Sequence, residues 1–131
     1  MFFDFKPSNE FKNEVLNLFS QHMLGSNLMV SPVIKSGERQ KRTYFPSDRF
    51  YDFFEGNVVN SGEEWKNIDA PLDKVLIFLR AGFIVHYQTP TKSITTLKEM
   101  RSLPLEIVVG LDINNRAYGR MYIDDGICKI K

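Results

Sequence analysis

A chain of 131 residues with 43% hydrophobic residues has material for one domain of ordinary size, or two small ones. Seventeen basic and 16 acidic residues leave a net charge of +1, and without a long basic run there is no electrostatic reason to expect DNA or RNA as a partner. The single cysteine, Cys128, rules out a disulfide within the chain, and no stretch approaches the roughly 20 apolar residues of a membrane span.

The N-terminal MFFDFKPS lacks the basic start and long apolar core of a signal peptide. Phe2 to Phe5 forms a strand candidate stopped by Pro7, and its aromatic content suggests that something packs there. Ser8 can cap a helix from about Asn9 to Ser20, with Glu10 in the first turn. Phe11, Val15, Leu18 and Phe19, with Leu16 alongside, would form its apolar stripe. Gly25 ends that pattern, and no other stretch reads convincingly as a helix. Leu28 to Val33 is strand-like, with Pro32 where it would leave its ladder.

A polar turn follows at Ser36-Gly37. The basic cluster Lys35 to Arg42 contains Glu38 and reads as a solvated turn. Thr43 to Phe45 is the next strand, closed by the turn Pro46-Ser47-Asp48. Phe50 to Phe54 is an aromatic strand broken by Gly56. Asn57 to Glu64 is a loop by composition. Trp65 to Ile68 is another short strand.

The most apolar stretch is Leu72 to His86. Val75 to Arg80 is apolar on both faces, as in a strand buried on both sides. Ala81-Gly82 interrupts it with a bulge or bend, and Phe83 to Val85 continues as a shorter strand. Tyr87 to Ser102 is polar and reads as a long loop or an edge strand. Pro104 to Leu111 is a strand, Asp112 to Asn115 a turn, and Arg116 to Ile123 the expected hairpin partner. Asp124-Asp125-Gly126 makes a last turn, and Ile127 to Lys131 is too short to add much. Many short strands with turn signals every ten residues or so predict an antiparallel β-sandwich.

Little here carries chemistry. Asp124-Asp125, with Asp112 and Asn114 ahead, lacks EF-hand spacing and reads as a turn. Asp4 with Glu10, or Asp48, Asp52 and Glu55, would need to stand roughly 5–9.5 Å apart across a cleft to cleave a sugar, and nothing in the sequence puts them there. His22 and His86, with one cysteine, cannot alone make a structural zinc site. Ser31 lacks a nucleophile-elbow setting, and Gly25, Gly37, Gly56 and Gly62 are isolated turn residues rather than a phosphate loop. Phe50, Tyr51, Phe53, Phe54 and Trp65 could stack on sugars or on another domain, although filling a sandwich core is the simpler role.

Five stretches taken together carry a resemblance: FFDF (Phe2 to Phe5), QHMLGSNLMVSPV (Gln21 to Val33), TYFPSDRFYDFFEG (Thr43 to Gly56), APLDKVLIFLRAGFIV (Ala70 to Val85) and GRMYIDDG (Gly119 to Gly126). In order and spacing they resemble the C-terminal part of glycoside hydrolase family 31, the family of lysosomal acid α-glucosidase, maltase-glucoamylase and sucrase-isomaltase. The resemblance implies a mainly β chain in three parts. Residues 1–33 would end a catalytic (β/α)8 barrel, with Phe2 to Phe5 and Leu28 to Val33 as late barrel strands. Residues 34–88 would be a proximal β-sandwich, and residues 89–131 the start of a distal β-domain.

That family releases terminal α-linked glucose with retention, using an aspartate nucleophile and an aspartate acid/base carried by earlier barrel segments. The tryptophan-x-aspartate-methionine-asparagine-glutamate type of motif around the nucleophile does not occur here. No catalytic, cofactor or metal residue is therefore assigned, and Asp4, Asp52, Asp124 and Asp125 take neither catalytic role. The implied substrate, an α-glucoside, would be met only through the barrel, which would be this chain's intramolecular partner. The implied compartment is lysosomal, endoplasmic reticulum or secreted.

Arg80-Ala81-Gly82 fits a form the family uses. His22-Met23-Leu24-Gly25 departs from its Phe-Leu-Trp-Gly or Phe-Met-Leu-Gly, and His86 stands where a proline is common. The competing reading is a freestanding sandwich that binds carbohydrate or a protein through Tyr51, Phe54 or Trp65 exposed in one patch. A calcium module on Asp124 and Asp125 ranks below both.

Overall fold

The structure, a computed structural model, describes residues 5–123. In chain order its elements are α1 (Lys12–Leu16), β1 (His22–Leu24), β2 (Leu28–Val30), β3 (Gln40–Phe45), β4 (Phe50–Asp52), β5 (Val58–Asn60), β6 (Glu64–Asp69), β7 (Ile77–Arg80), β8 (Phe83–Tyr87), α2 (Leu97–Met100) and β9 (Glu106–Gly110). Five strands form one sheet in the order β1-β2-β7-β4-β5, with antiparallel neighbours. β3 pairs with β6, and β8 with β9, both antiparallel.

The core lies between the large sheet and the β3–β6 pair. Side chains alternate along a strand, so Thr43 and Phe45 share one face of β3, and both are fully buried. The Phe45 ring meets Phe78 of β7 at 5.1 Å and Phe50 of β4 at 5.7 Å. Met29, Ala70 and Leu76 complete this cluster. The molecule is thus mainly β and has the layered core of a sandwich.

The expected break at Ala81-Gly82 is present and changes the sheet. Gly82 sits at φ +82°, in the left-handed region, and its N–H bonds the Gly110 carbonyl at 2.8 Å. β7 therefore stays in the large sheet while β8 leaves to pair with β9. Val75 is exposed, and the buried strand starts at Ile77.

Several expectations are corrected. The first helix is one turn long, Lys12–Leu16, rather than Asn9 to Ser20. The Asn17 side chain bonds the Asn13 carbonyl at 2.9 Å, while the Asn17 N–H turns to Glu14; the side chain competes with the backbone ladder and closes the helix. The N-cap is Phe11, without a side-chain cap, and Ser8 contributes its carbonyl, which accepts the Phe11 and Lys12 N–H groups. His22–Leu24 is a strand, β1, turned into β2 by Gly25 at φ +63°. Asn57 to Glu64 contains β5, which gains its partner from β4.

The stretch from Tyr87 to Ser102 includes a second helix, α2. There Thr96 and Glu99 form a reciprocal capping box, with the Glu99 carboxylate accepting the Thr96 N–H at 3.0 Å. Arg116 to Ile123 is not the hairpin partner of β9. Its Tyr118 instead bridges in parallel to Phe83, and the Ile84 N–H bonds the Tyr118 carbonyl at 3.0 Å. The turn between them is as expected: Asp112 Oδ1 accepts from the Asn114 and Arg116 N–H groups, both at 2.8 Å.

Residues 33 and 88 lie in unpaired chain, after β2 and after β8. β2 is hydrogen-bonded to β7, so within the described residues Leu28–Val30 is a strand of the sandwich sheet. β8, just before residue 88, pairs with β9, well after it. The Phe2-Phe3-Asp4 part of the first strand candidate, the Asp124-Asp125-Gly126 turn and Ile127 to Lys131, with Cys128, lie outside the described residues.

Candidate functional site

Of the acids considered for sugar chemistry, Asp48, Asp52 and Glu55 are held in ion pairs, the last two around one lysine. Asp52, at the end of β4, is buried and closes the following turn by accepting the Phe54 and Glu55 N–H groups at 2.9 and 3.0 Å. Lys74 reaches it at 3.0 Å and reaches Glu55 at 2.5 Å. Burial would raise the Asp52 carboxyl, but the Glu55 N–H, the Lys74 ammonium and the Phe54 N–H together outweigh it and hold the pKa below the ordinary value. The same contacts raise Lys74, Glu55 first and Asp52 second. A carboxylate tied down this way is a poor proton donor.

Asp48 is spent on Arg80, at 2.6 Å from Nε. The Arg80 guanidinium also lies 4.5 Å from the centre of the Phe5 ring and 5.4 Å from that of Phe83. Glu10 is exposed, and Asp4 lies outside the described residues. Among the described residues no three His, Cys, Asp or Glu side chains gather to hold a metal, and no helix is long and apolar enough to cross a membrane. His22 and His86 are both exposed. Ser31 is fully buried, 2.9 Å from the Thr43 hydroxyl.

A polar clamp that sequence reasoning missed secures the N-terminal segment. Glu63 accepts the Ser8 N–H at 2.8 Å and the Tyr44 hydroxyl at 2.6 Å. Burial and this carboxylate push the Tyr44 phenol well above its usual range. Burial would raise Glu63, but the Tyr44 hydroxyl and Ser8 outweigh it and hold it low. Neither Glu63 nor Lys74 had a local signal, because their partners are far along the chain.

The aromatic set divides. Phe50 is core, while Trp65 packs against Tyr44 with the rings tilted by 54° and 5.4 Å apart, and Arg42 lies over the Trp65 ring at 4.2 Å. Tyr51 donates to the Leu111 carbonyl at 2.7 Å. Phe54 is 63% exposed and lies with Phe53 and Tyr87 along a groove of about 600 Å³. The groove's polar side chains are engaged: Glu55 with Lys74, Gln88 with the Met100 and Leu103 carbonyls, and Thr89 with Glu106. Tyr51, Phe54 and Trp65 thus have three different sets of neighbours and do not stand out as one sugar platform.

These features define a β-sandwich module in which Asp48, Asp52, Glu55 and Glu63 brace turns, ion pairs and the N-terminal segment. Residues 1–85 match the Glycosyl hydrolase family 31 C-terminal domain, and the chain belongs to that family. It is 33% identical over 111 residues to an alpha-glucosidase of Mucor javanicus, covering 81% of this chain and 12% of that protein. It is 36% identical over 104 residues to the glucosidase 2 subunit alpha of Saccharomyces cerevisiae, covering 77% and 11%. A family 31 dextranase of Flavobacterium johnsoniae, solved with glucose, is similar at a TM-score of 0.66 and 28% identity over 79% of this chain and 13% of its own. A glucosidase II alpha subunit structure shares the fold at a TM-score of 0.76 and 24% identity, over 88% of this chain and 13% of its own. The chain therefore spans only 11–13% of the length of these proteins.

Proposed function

We propose that this chain is the supporting sandwich of a retaining α-glucoside hydrolase whose catalytic aspartates lie on a barrel outside these residues. The carrying observation is that Asp48, Asp52 and Glu55 are all committed to ion pairs, two of them around Lys74, while the chain belongs to a hydrolase family. Its contribution would be mechanical, through apolar contact with the barrel. At roughly 25 cal/mol per Å², burying ~400 Å² of apolar surface contributes about 10 kcal/mol before ordering costs. The pairing of β2 with β7 favours a junction with the barrel ahead of β1 rather than at residue 33. The compartment would be that of its relatives: lysosome, endoplasmic reticulum or secretory path.

The test is turnover of maltose and of a chromogenic α-glucoside, first by the purified 131-residue chain and then by the polypeptide encoded in frame ahead of and through it. The expected result is activity in the second alone. Turnover by the 131 residues, or an upstream frame without a barrel, refutes the reading. A freestanding sugar-binding sandwich has one observation in its favour, the exposed Phe54 beside its groove; oligosaccharide titration of the purified chain is expected to give no signal.

A further inference from the structure

The end of α2 is fastened to the end of β8 by one side chain. Gln88, the residue after β8, donates through Nε2 to the Met100 carbonyl at 2.9 Å and to the Leu103 carbonyl at 2.8 Å. Arg101, the C-cap of α2, lies between those two carbonyls in the chain and is thereby brought beside β8. There Arg101 and His86 line one groove of about 420 Å³. Arg101 supplies a fixed positive charge, and the exposed His86 adds an N–H donor at neutral pH.

The rest of this groove is largely apolar and open to water. Leu105, Met121 and Ile123 line it, and all three are exposed, Ile123 to 67%. Ile123 leads directly into Asp124, Asp125, Gly126 and Ile127. A residue advances the chain by at most about 3.6 Å, so both carboxylates fall within reach of a guanidinium on the same small groove. Gly126 permits a sharp reversal, and Ile127 is the first apolar side chain after it. The segment therefore matches the groove twice, with two acids for its basic side and an isoleucine for its apolar side.

We infer that residues 124–127 fold back into this groove, setting the Asp124-Asp125 carboxylates against Arg101 and His86 and the Ile127 side chain on Leu105 and Met121. The groove is thus a docking site for the chain's own acidic turn. The contact covers apolar surface that the β8–β9 pair otherwise leaves in water, and it ties the segment after Ile123 to the loop that carries α2. It involves neither a catalytic barrel nor a sugar.

The experiment follows amide hydrogen exchange in the full-length polypeptide by peptide mass spectrometry, reading residues 124–131 and, as a control, β3. In the unaltered protein residues 124–131 are expected to exchange at least about tenfold more slowly than a free chain, because exchange must await undocking. Arg101→Glu is expected to speed them roughly fivefold or more, through loss of the pair and repulsion between like charges, with β3 unchanged. Arg101→Gln removes the charge without repulsion and is expected to give a smaller rise; it is the variant to read if Arg101→Glu also loosens β3. Asp124→Arg with Asp125→Arg should speed exchange as Arg101→Glu does, and combining all three changes should restore most of the protection. Exchange of residues 124–131 at the free-chain rate overturns the inference, as does a combined variant that recovers nothing. So does protection that survives both Arg101 variants, as cover by another part of the polypeptide would give, or protection that appears only as protein concentration rises, as cover by a second copy would give. Each of these results leaves the proposed function standing.

Discussion

Phe45 and Phe54 look alike in the sequence, both in short aromatic runs beside a turn, yet they should respond very differently to truncation. Phe45 is fully buried, and its ring meets Phe50 at 5.7 Å and Phe78 at 5.1 Å, joining the two sheets. Phe54 is 63% exposed and packs on Phe53 at 5.3 Å. Removing a buried phenylalanine to alanine costs about 3–5 kcal/mol, through lost transfer energy and the cavity left behind. The two ring contacts place Phe45→Ala at the upper end, since such pairs contribute about 0.5–1.5 kcal/mol beyond area. Phe54→Ala should stay below about 1 kcal/mol, as for a surface change that loses one ring contact. The assay is urea unfolding followed by tryptophan fluorescence, reading the midpoint at constant slope. Domains are stable by only about 5–15 kcal/mol, so Phe45→Leu, at about 1–2 kcal/mol, serves as the variant sure to remain measurable. Equal costs for the Phe45 and Phe54 truncations would refute the placement of the core between the two sheets.

Asp52→Asn should cost about 1–2 kcal/mol at neutral pH by weakening two N–H bonds and the Lys74 pair, toward the low end because the Glu55 side of the cluster is open to solvent. Because the folded carboxyl is held below 3.8, its contribution is present above the unfolded pKa and is lost as pH falls through the folded one. The variant's deficit should therefore shrink in urea titrations below about pH 4; a deficit that grows on acidification would contradict the cluster. Gly82→Ala should cost about 1–2 kcal/mol from its φ of +82°. An added Cβ would meet Asp112 at an ordinary 3.7 Å, so crowding adds nothing, and a neutral result by thermal unfolding would count against the sharp exit of β8 from the large sheet.

Local chemistry was legible where it acts over a few residues. The alternating apolar runs, the Ala81-Gly82 break and the Asp112 turn could all be read, because side-chain period and turn geometry are settled by neighbours in the chain. The Thr96-x-x-Glu99 capping box was equally local, and it was missed because polar, threonine-rich surroundings suggested a loop.

Only the folded chain decided which strand meets which. β2 and β7 are far apart in sequence, as are β8 and β9, and no local signal specifies such pairing. The same holds for the acids. Asp48, Asp52 and Glu55 were interchangeable candidates in one dimension, and became fixed braces once Arg80 and Lys74 arrived from the far end of the domain. Charge pairing depends on what the fold brings within a few ångströms, and for these acids that is set by the pairing of β4 with β7 in one sheet rather than by position along the chain.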